Sequence, residues 1–449
     1  MNISVSENPS PSPTPSPTAS YAELLRVFAR IGFLSFGGPA GQIALMHREL
    51  VEERGWISEE RFLHALNFCH LLPGPEAQQL ATWIGWRLHG VRGGLAAGLL
   101  FVIPGALVIL VLSALYAVAA DLALVEALFL GVKAAVLAIV VQALLRIAGR
   151  ALDTGLKRAL AAGAFGALFL LDLPFPLVVL GAGLIGLAAA ALRPEWLALK
   201  AGAGDAAALP PRPWRSTFAA VAVWGAVWAA PMVAIAATLG RDHVLWEIGA
   251  FFSQLAIVTF GGAYAVLAYM AQEAAGSLGW LQAGEMADGL GLAETTPGPL
   301  ILVTQFVGYL AAFRAPEPFS PFVAGLLGAG LTTWVTFAPC FLWIFALAPW
   351  IDRLAGAVRL KGALAAVTAA VVGVIANLTA WFALHVLFAE VGEQRLGPLR
   401  LSWPAPASLD WRAVVLTVLA IGLTFGLKWP ILRVLAVSAL GGVALLTAT

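Results

Sequence analysis

Few residues in this chain are equipped to do chemistry in an apolar setting, and two of them share one frame. His70 stands three residues ahead of Pro73-Gly74-Pro75, and Glu294 stands three residues ahead of Pro297-Gly298-Pro299. Glu76, Gln78 and Gln79 follow the first Pro-Gly-Pro, while Thr295, Thr296 and Gln305 flank the second. An ionisable group inside an apolar span is costly and is a functional candidate by default, often as a proton relay. His70, Glu76 and Glu294 are therefore the candidate proton carriers, and the plain alternative for each is a solvated place near the membrane surface. Lys133 sits near the centre of the apolar run LALVEALFLGVKAAVLAIVVQAL, where a lysine pairs with something or faces a cavity and could attract an anion.

The breaks themselves offer a second chemistry. A Pro-Gly-Pro interruption at membrane depth leaves backbone groups unpaired, which survives only where it is buried in protein or lines a watery cavity. It also starts a new helix, whose free N–H groups carry partial positive charge and bind anions. Phe36-Gly37-Gly38 and Phe260-Gly261-Gly262 add bare backbone for close approach, with Gln42 just past the first. These four elements could cradle an anion near the midplane. Gly and Pro are also common in membrane helices merely as kinks and packing devices, but repetition at one spacing with polar residues attached favours the anion reading.

The elements that must hold these residues are membrane helices. Sixty per cent of the 449 residues are hydrophobic, 11% are charged, and the mean hydropathy is +0.88. Apolar runs lie at roughly 22–46, 62–86, 94–119, 122–145, 158–171 and 175–192, and, after a polar linker, at 217–239, 245–271, 286–312, 322–349, 361–388, 411–427 and 429–448. These lengths suit helices crossing about 30 Å of hydrocarbon, not barrel strands of about 10 residues. The fold class expected is an all-α polytopic membrane protein with about 13 spans.

The two halves repeat each other. A shift of 224 residues sets Phe36 on Phe260, Gly55-Trp56 on Gly279-Trp280, and Gly74 on Gly298; beyond the longer loop FRAPEPFSP the shift becomes 235 and sets Pro104 on Pro339. The division expected is a Pro/Ser/Thr tail over 1–20, a first repeat over 21–192, a linker with one connecting span over 193–244, and a second repeat over 245–449. Six spans per repeat and one between them turn the second repeat upside down, the plan of many secondary transporters. Arg146, Arg150, Lys157 and Arg158 fall on the same side as Arg193, Lys200, Arg212 and Arg215, which the positive-inside rule makes cytoplasmic, together with the N-terminus.

Other classes are disfavoured. A net charge of +1 without a basic run argues against nucleic acid. There is no phosphate-binding loop, metal-binding His cluster or acyl-nucleophile motif, so no cofactor and no enzymatic activity are expected. Cys69 and Cys340 read as small buried hydrophobes.

The segments FLSFGGPAGQIALMHRELVEERGWISEERFLHALNFCHLLPGPEAQQLATWIG and TFGGAYAVLAYMAQEAAGSLGWL, with AETTPGPLILVTQFVGY, resemble the chromate ion transporter family in its long, two-repeat form. The resemblance implies a prokaryotic inner-membrane protein that exports chromate, driven by the proton-motive force, and confers chromate resistance. The expected partners are then chromate, with sulfate as its competitor, the lipid bilayer and, as an open alternative, a second copy of the chain. Many members carry His where this chain has Gln42, and Gln where it has His70. A sulfate or general oxyanion transporter is the alternative within the same class, and a membrane scaffold or enzyme the alternative outside it.

Overall fold

In the computed structural model, which describes residues 19–36, 38–120, 122–199, 214–260, 263–355, 357–397 and 399–448, the chain is almost entirely helical. The tail over 1–18, most of the polar linker, and Gly37, Gly261 and Gly262 lie outside the described residues.

The first repeat comprises α1 (Tyr21–Leu34), α2 (Gly38–His47), α3 (Glu59–Cys69), α4 (Glu76–Ala119), α5 (Ala123–Ala151), α6 (Gly155–Phe169) and α7 (Phe175–Leu192). α4 is a helical hairpin. Its two arms, residues 76–88 and 91–119, meet at His89 and at Gly90, whose φ of 60° reverses the chain. The arms touch where Gly85 faces Gly93: a Cβ on Gly85 would lie 2.3 Å from the Gly93 carbonyl oxygen. After α8 (Trp214–Thr238), the second repeat follows the same order: α9 (Val244–Val258), α10 (Ala263–Ala275), α11 (Ala283–Thr295), α12 (Val303–Arg314, preceded by a tight turn at Leu300–Leu302), α13 (Pro321–Leu347), then, past the short α14 (Ile351–Ala355), α15 (Val358–Leu387), α16 (Trp411–Ile421) and α17 (Ile431–Ala448). α12 and α13 pack as the arms of α4 do, with Gly328 under the Gly308 carbonyl.

Among the described residues, six helices are long and apolar enough to cross a membrane: Glu76–Ala119, Ala123–Ala151, Phe175–Leu192, Trp214–Thr238, Pro321–Trp350 and Val358–Leu387. Two of the six segments expected in each repeat are instead broken pairs. α1 with α2, and α3 with the first arm of α4, take the places of single spans, as do α9 with α10 and α11 with α12. Ten residues of helix rise about 15 Å, half the hydrocarbon thickness, so pieces such as α2 reach only part way. The connecting helix α8 has no buried residue, as suits an apolar helix on the rim of a membrane protein.

The long helices of the two repeats interlock. α5 lies on α17, and α15 lies on α6 and α7. Small residues set the spacing: a Cβ on Gly131 would come within 1.8 Å of the Ser438 carbonyl oxygen, and one on Gly186 within 2.4 Å of that of Gly362. Without a hydrophobic drive between helices in lipid, such close approach is what holds them together. One feature departs from the all-helical expectation. An antiparallel hairpin, β1 (Val391–Leu396) and β2 (Leu399–Pro404), joins α15 to α16. It is tied to the loop after α6 by the Arg400 N–H donating to the Leu170 carbonyl at 2.8 Å and by an Arg400–Asp172 ion pair.

Candidate functional site

The four breaks meet across the repeats. The Gly74 N–H donates to the Thr259 carbonyl at 2.8 Å, and the Gly298 N–H donates to the Ser35 carbonyl at 2.8 Å. Ser35 and Thr259 are equivalent residues, each immediately before a Phe-Gly-Gly turn, and Gly74 and Gly298 are the centres of the two Pro-Gly-Pro breaks. Each Pro-Gly-Pro thus docks on the residue that precedes the Phe-Gly-Gly of the other repeat. Both glycines need the left-handed backbone, with φ of 109° and 90°.

The long helices that carry Pro104 and Pro339 close on the same points. A Cβ on Gly105, next to Pro104, would lie 2.1 Å from the Pro297 carbonyl oxygen, and a Cβ on Gly74 would lie 3.0 Å from Sγ of Cys340, next to Pro339. Two further bonds cross the repeats here: the Gln42 amide donates to the Gly298 carbonyl at 2.6 Å, and the Gln305 amide donates to the Ala106 carbonyl at 2.8 Å. Thr333 donates to the Gln305 side-chain oxygen at 2.9 Å, and Gln79 donates locally to the Pro73 carbonyl at 2.6 Å.

Four helix starts are therefore gathered in two crossed pairs, α2 with the segment 300–314 and α4 with α10. The start of α4 has Pro75 as its cap residue, which supplies no side-chain acceptor to its first N–H groups. Gln78 and Gln79 are fully buried beside it, and their side-chain oxygens lack partners among the described residues. The Ser35 hydroxyl, also fully buried, is likewise unpartnered. Polar groups buried without partners cost free energy, so they mark a place where something else is bound or where water enters.

The equivalent ionisable residues have parted company. Glu294 is buried and accepts a hydrogen bond from Tyr264 at 2.7 Å, whereas His70 is exposed at the end of α3. The difference separates α3 from α11. α11 is buried from Met286 to Gly291 beneath α5, α15 and α17, while α3 turns Leu63, Asn67 and His70 outward. Glu76, at the start of α4, is half-buried. Phe36 is half-buried and Phe260 likewise, and Thr296, Pro297 and Pro299 are buried, as is Pro75; Pro73 and Thr295 are half-buried.

Lys133 is taken up elsewhere. Its Nζ lies 3.3 Å from Asp288 Oδ2, which also accepts a hydrogen bond from Tyr116 at 2.8 Å. Asp288 is ten residues ahead of Gly298, on α11, so Lys133 belongs to a polar centre up the helix from the crossed breaks. Sequence reasoning passed over both Asp288 and Tyr116. The rule that singles out Glu294, a carboxylate inside an apolar helix, applies equally to Asp288 in MADGLGLAET. The crossing partners Ser35 and Thr259 carry no such signal, because their contribution is a backbone carbonyl.

The family model described as chromate transporter matches residues 22–187 and 246–444, one match for each repeat. The chain belongs to the chromate transporter family. Within that family it is 35% identical to the chromate transport protein of Pseudomonas aeruginosa, over 92% of this chain and 93% of that one. It is 28% identical to the chromate transport protein of Cupriavidus metallidurans, over 80% and 81%. An uncharacterized transporter of Methanocaldococcus jannaschii is 25% identical over 80% of this chain and 83% of its own. No solved structure matches. Both matched stretches contain the crossed breaks, so the interlocked geometry lies within what this chain has in common with the chromate transporter family.

Proposed function

We propose that this chain exports chromate across the inner membrane, driven by the proton-motive force, and so confers chromate resistance. The reading rests on one observation beyond family membership: the crossed bonds from Gly74 to Thr259 and from Gly298 to Ser35, which gather four helix starts inside the protein. Discontinuous helices meeting in this way aim positive dipole ends at an anionic substrate and are retained in lipid only where protein or a cavity surrounds them. The transported dianion sits against these starts, with the backbone of the Phe-Gly-Gly and Pro-Gly-Pro elements, Gln78 and Gln79 as its contacts. Glu294, buried and bonded to Tyr264, carries the proton.

The electrical part of the driving force already favours export. Moving one charge through 100 mV is worth about 2.3 kcal/mol, and a dianion leaving a negative interior gains about twice that. The inverted repeats supply the two faces: buried α11 against outward-turned α3 is the asymmetry expected of one access state, with the roles exchanged in the other.

Flux decides the proposal. Everted membrane vesicles containing the protein should accumulate labelled chromate when energised, less so with excess sulfate and less when the proton gradient is collapsed. Accumulation equal to that of vesicles lacking the protein overturns it.

A further inference from the structure

Asp288 has a place in the structure that the crossed breaks do not explain. It is buried, with 5% of its side chain accessible, and it faces Lys133 with 24% accessible. Its Oδ2 holds both Lys133 and Tyr116, while Oδ1 has no partner among the described residues. The surrounding wall is aromatic and close: Tyr116 packs edge-on against Phe129 and Phe306, at 5.2 and 5.1 Å between ring centres. A Cβ on Gly289 would come within 2.4 Å of Phe306, and one on Gly284 would lie 3.1 Å from Nζ of Lys133. Of the elements packed on α11, α4 brings Tyr116 and α5 brings Lys133. α12 brings Arg314, which is engaged by Glu285 of α11 at 2.5 and 2.9 Å. α10, α15 and α17 place no ionisable group in bonding contact with Asp288 among the described residues.

The pair joins the repeats and has no counterpart under the internal symmetry. The position equivalent to Lys133 is Thr368, and that equivalent to Asp288 is His64. A buried ion pair is a poor source of stability, since desolvating both charges offsets their attraction. It makes better sense as a charge that has to be neutral in one state and available in another.

We infer that Asp288 is the internal counter-ion for which Lys133 exchanges the transported dianion. The inference rests on the oxyanion-transport reading and adds its switching partner. With no substrate present, Asp288 neutralises Lys133, so the empty carrier changes its access without carrying a bare charge through low dielectric. When the dianion reaches this centre on its way to or from the crossed breaks, Lys133 leaves Asp288 for it, and Tyr116 keeps its hydrogen bond to the carboxylate.

Full-length protein in proteoliposomes tests this with labelled chromate and labelled sulfate, read three ways: equilibrium binding, exchange of internal for external anion, and net efflux into anion-free medium. Asp288→Asn removes the competitor for Lys133. Binding should tighten about tenfold, a size ordinary for coupled sites, while net efflux falls at least as much and exchange persists, because only the empty return step is blocked. Tyr116→Phe leaves Asp288 leaning on Lys133 alone, so binding should weaken a few-fold; this variant also serves if Asp288→Asn is not recovered folded. Exchange and net efflux falling together in Asp288→Asn, or anion affinity at the wild-type value in either variant, overturns the exchange. Wild-type protein that binds neither anion refutes the transport reading, and the exchange falls with it; that failure is visible in the wild-type arm alone.

Discussion

Gly74 of the first repeat donates its backbone N–H to the carbonyl of Thr259 in the second at 2.8 Å, and the mirrored bond from Gly298 to Ser35 has the same length. Neither bond involves a side chain. Each ties a left-handed glycine at the centre of one break to the residue that precedes the other repeat's Phe-Gly-Gly motif. A break that would leave its N–H unpaired in lipid is thus satisfied by the opposite repeat, and the two halves are obliged to fold together.

Gly298→Ala should weaken this crossing. The left-handed backbone costs an alanine roughly 1–2 kcal/mol, and its Cβ would meet Leu302 at 3.2 Å. Gly298→Leu should abolish export with the protein still inserted. The check is flux together with the thermal midpoint in detergent: full export by the leucine variant would mean that this backbone lies away from the anion.

Gln42 tests the crossing from the side-chain end. Gln42→Leu removes the 2.6 Å bond to the Gly298 carbonyl and leaves a buried acceptor unmet, a loss of about 1–3 kcal/mol. The thermal midpoint should fall, and more than it does for Gln79→Leu, whose bond to Pro73 stays within one break. Equal midpoints would argue that the bond between repeats adds nothing to stability.

Glu294→Gln keeps the shape and the hydrogen-bonding ability of the side chain and cannot titrate. Chromate binding should persist while flux ceases to respond to an imposed proton gradient. Tyr264→Phe, which removes the 2.7 Å bond to Glu294, should shift the pH profile of flux without abolishing it. A normal gradient response in Glu294→Gln passes the proton role to His70 or Glu76.

Gly55 and Gly279 occupy equivalent exposed turns, with φ of 59° and 60°. Reporter fusions at these two places should mark opposite sides of the membrane, with the N-terminal side cytoplasmic. Both fusions reporting one side would refute the inverted arrangement.

Composition and run length alone determined the class: in lipid the backbone must pair within a helix or around a closed barrel, and apolar runs this long in a chain with 60% hydrophobic residues fit helices, not strands of about 10 residues. The duplication was equally plain, because Phe-Gly-Gly, Gly-Trp and Pro-Gly-Pro recur at one offset, and the breaks fell where Pro and Gly interrupt those runs. Which break docks on which was beyond the sequence. The acceptors are the main-chain carbonyls of Ser35 and Thr259, and every residue type offers a carbonyl. The unlike fates of His70 and Glu294 were also a tertiary matter, since equivalent positions are made unequal only by the long helices that cover α11 and leave α3 open. Lys133 was recognisable as a deep charge, but its partner lies 155 positions further along the chain, where only the packing of α5 on α11 brings Asp288 within 3.3 Å.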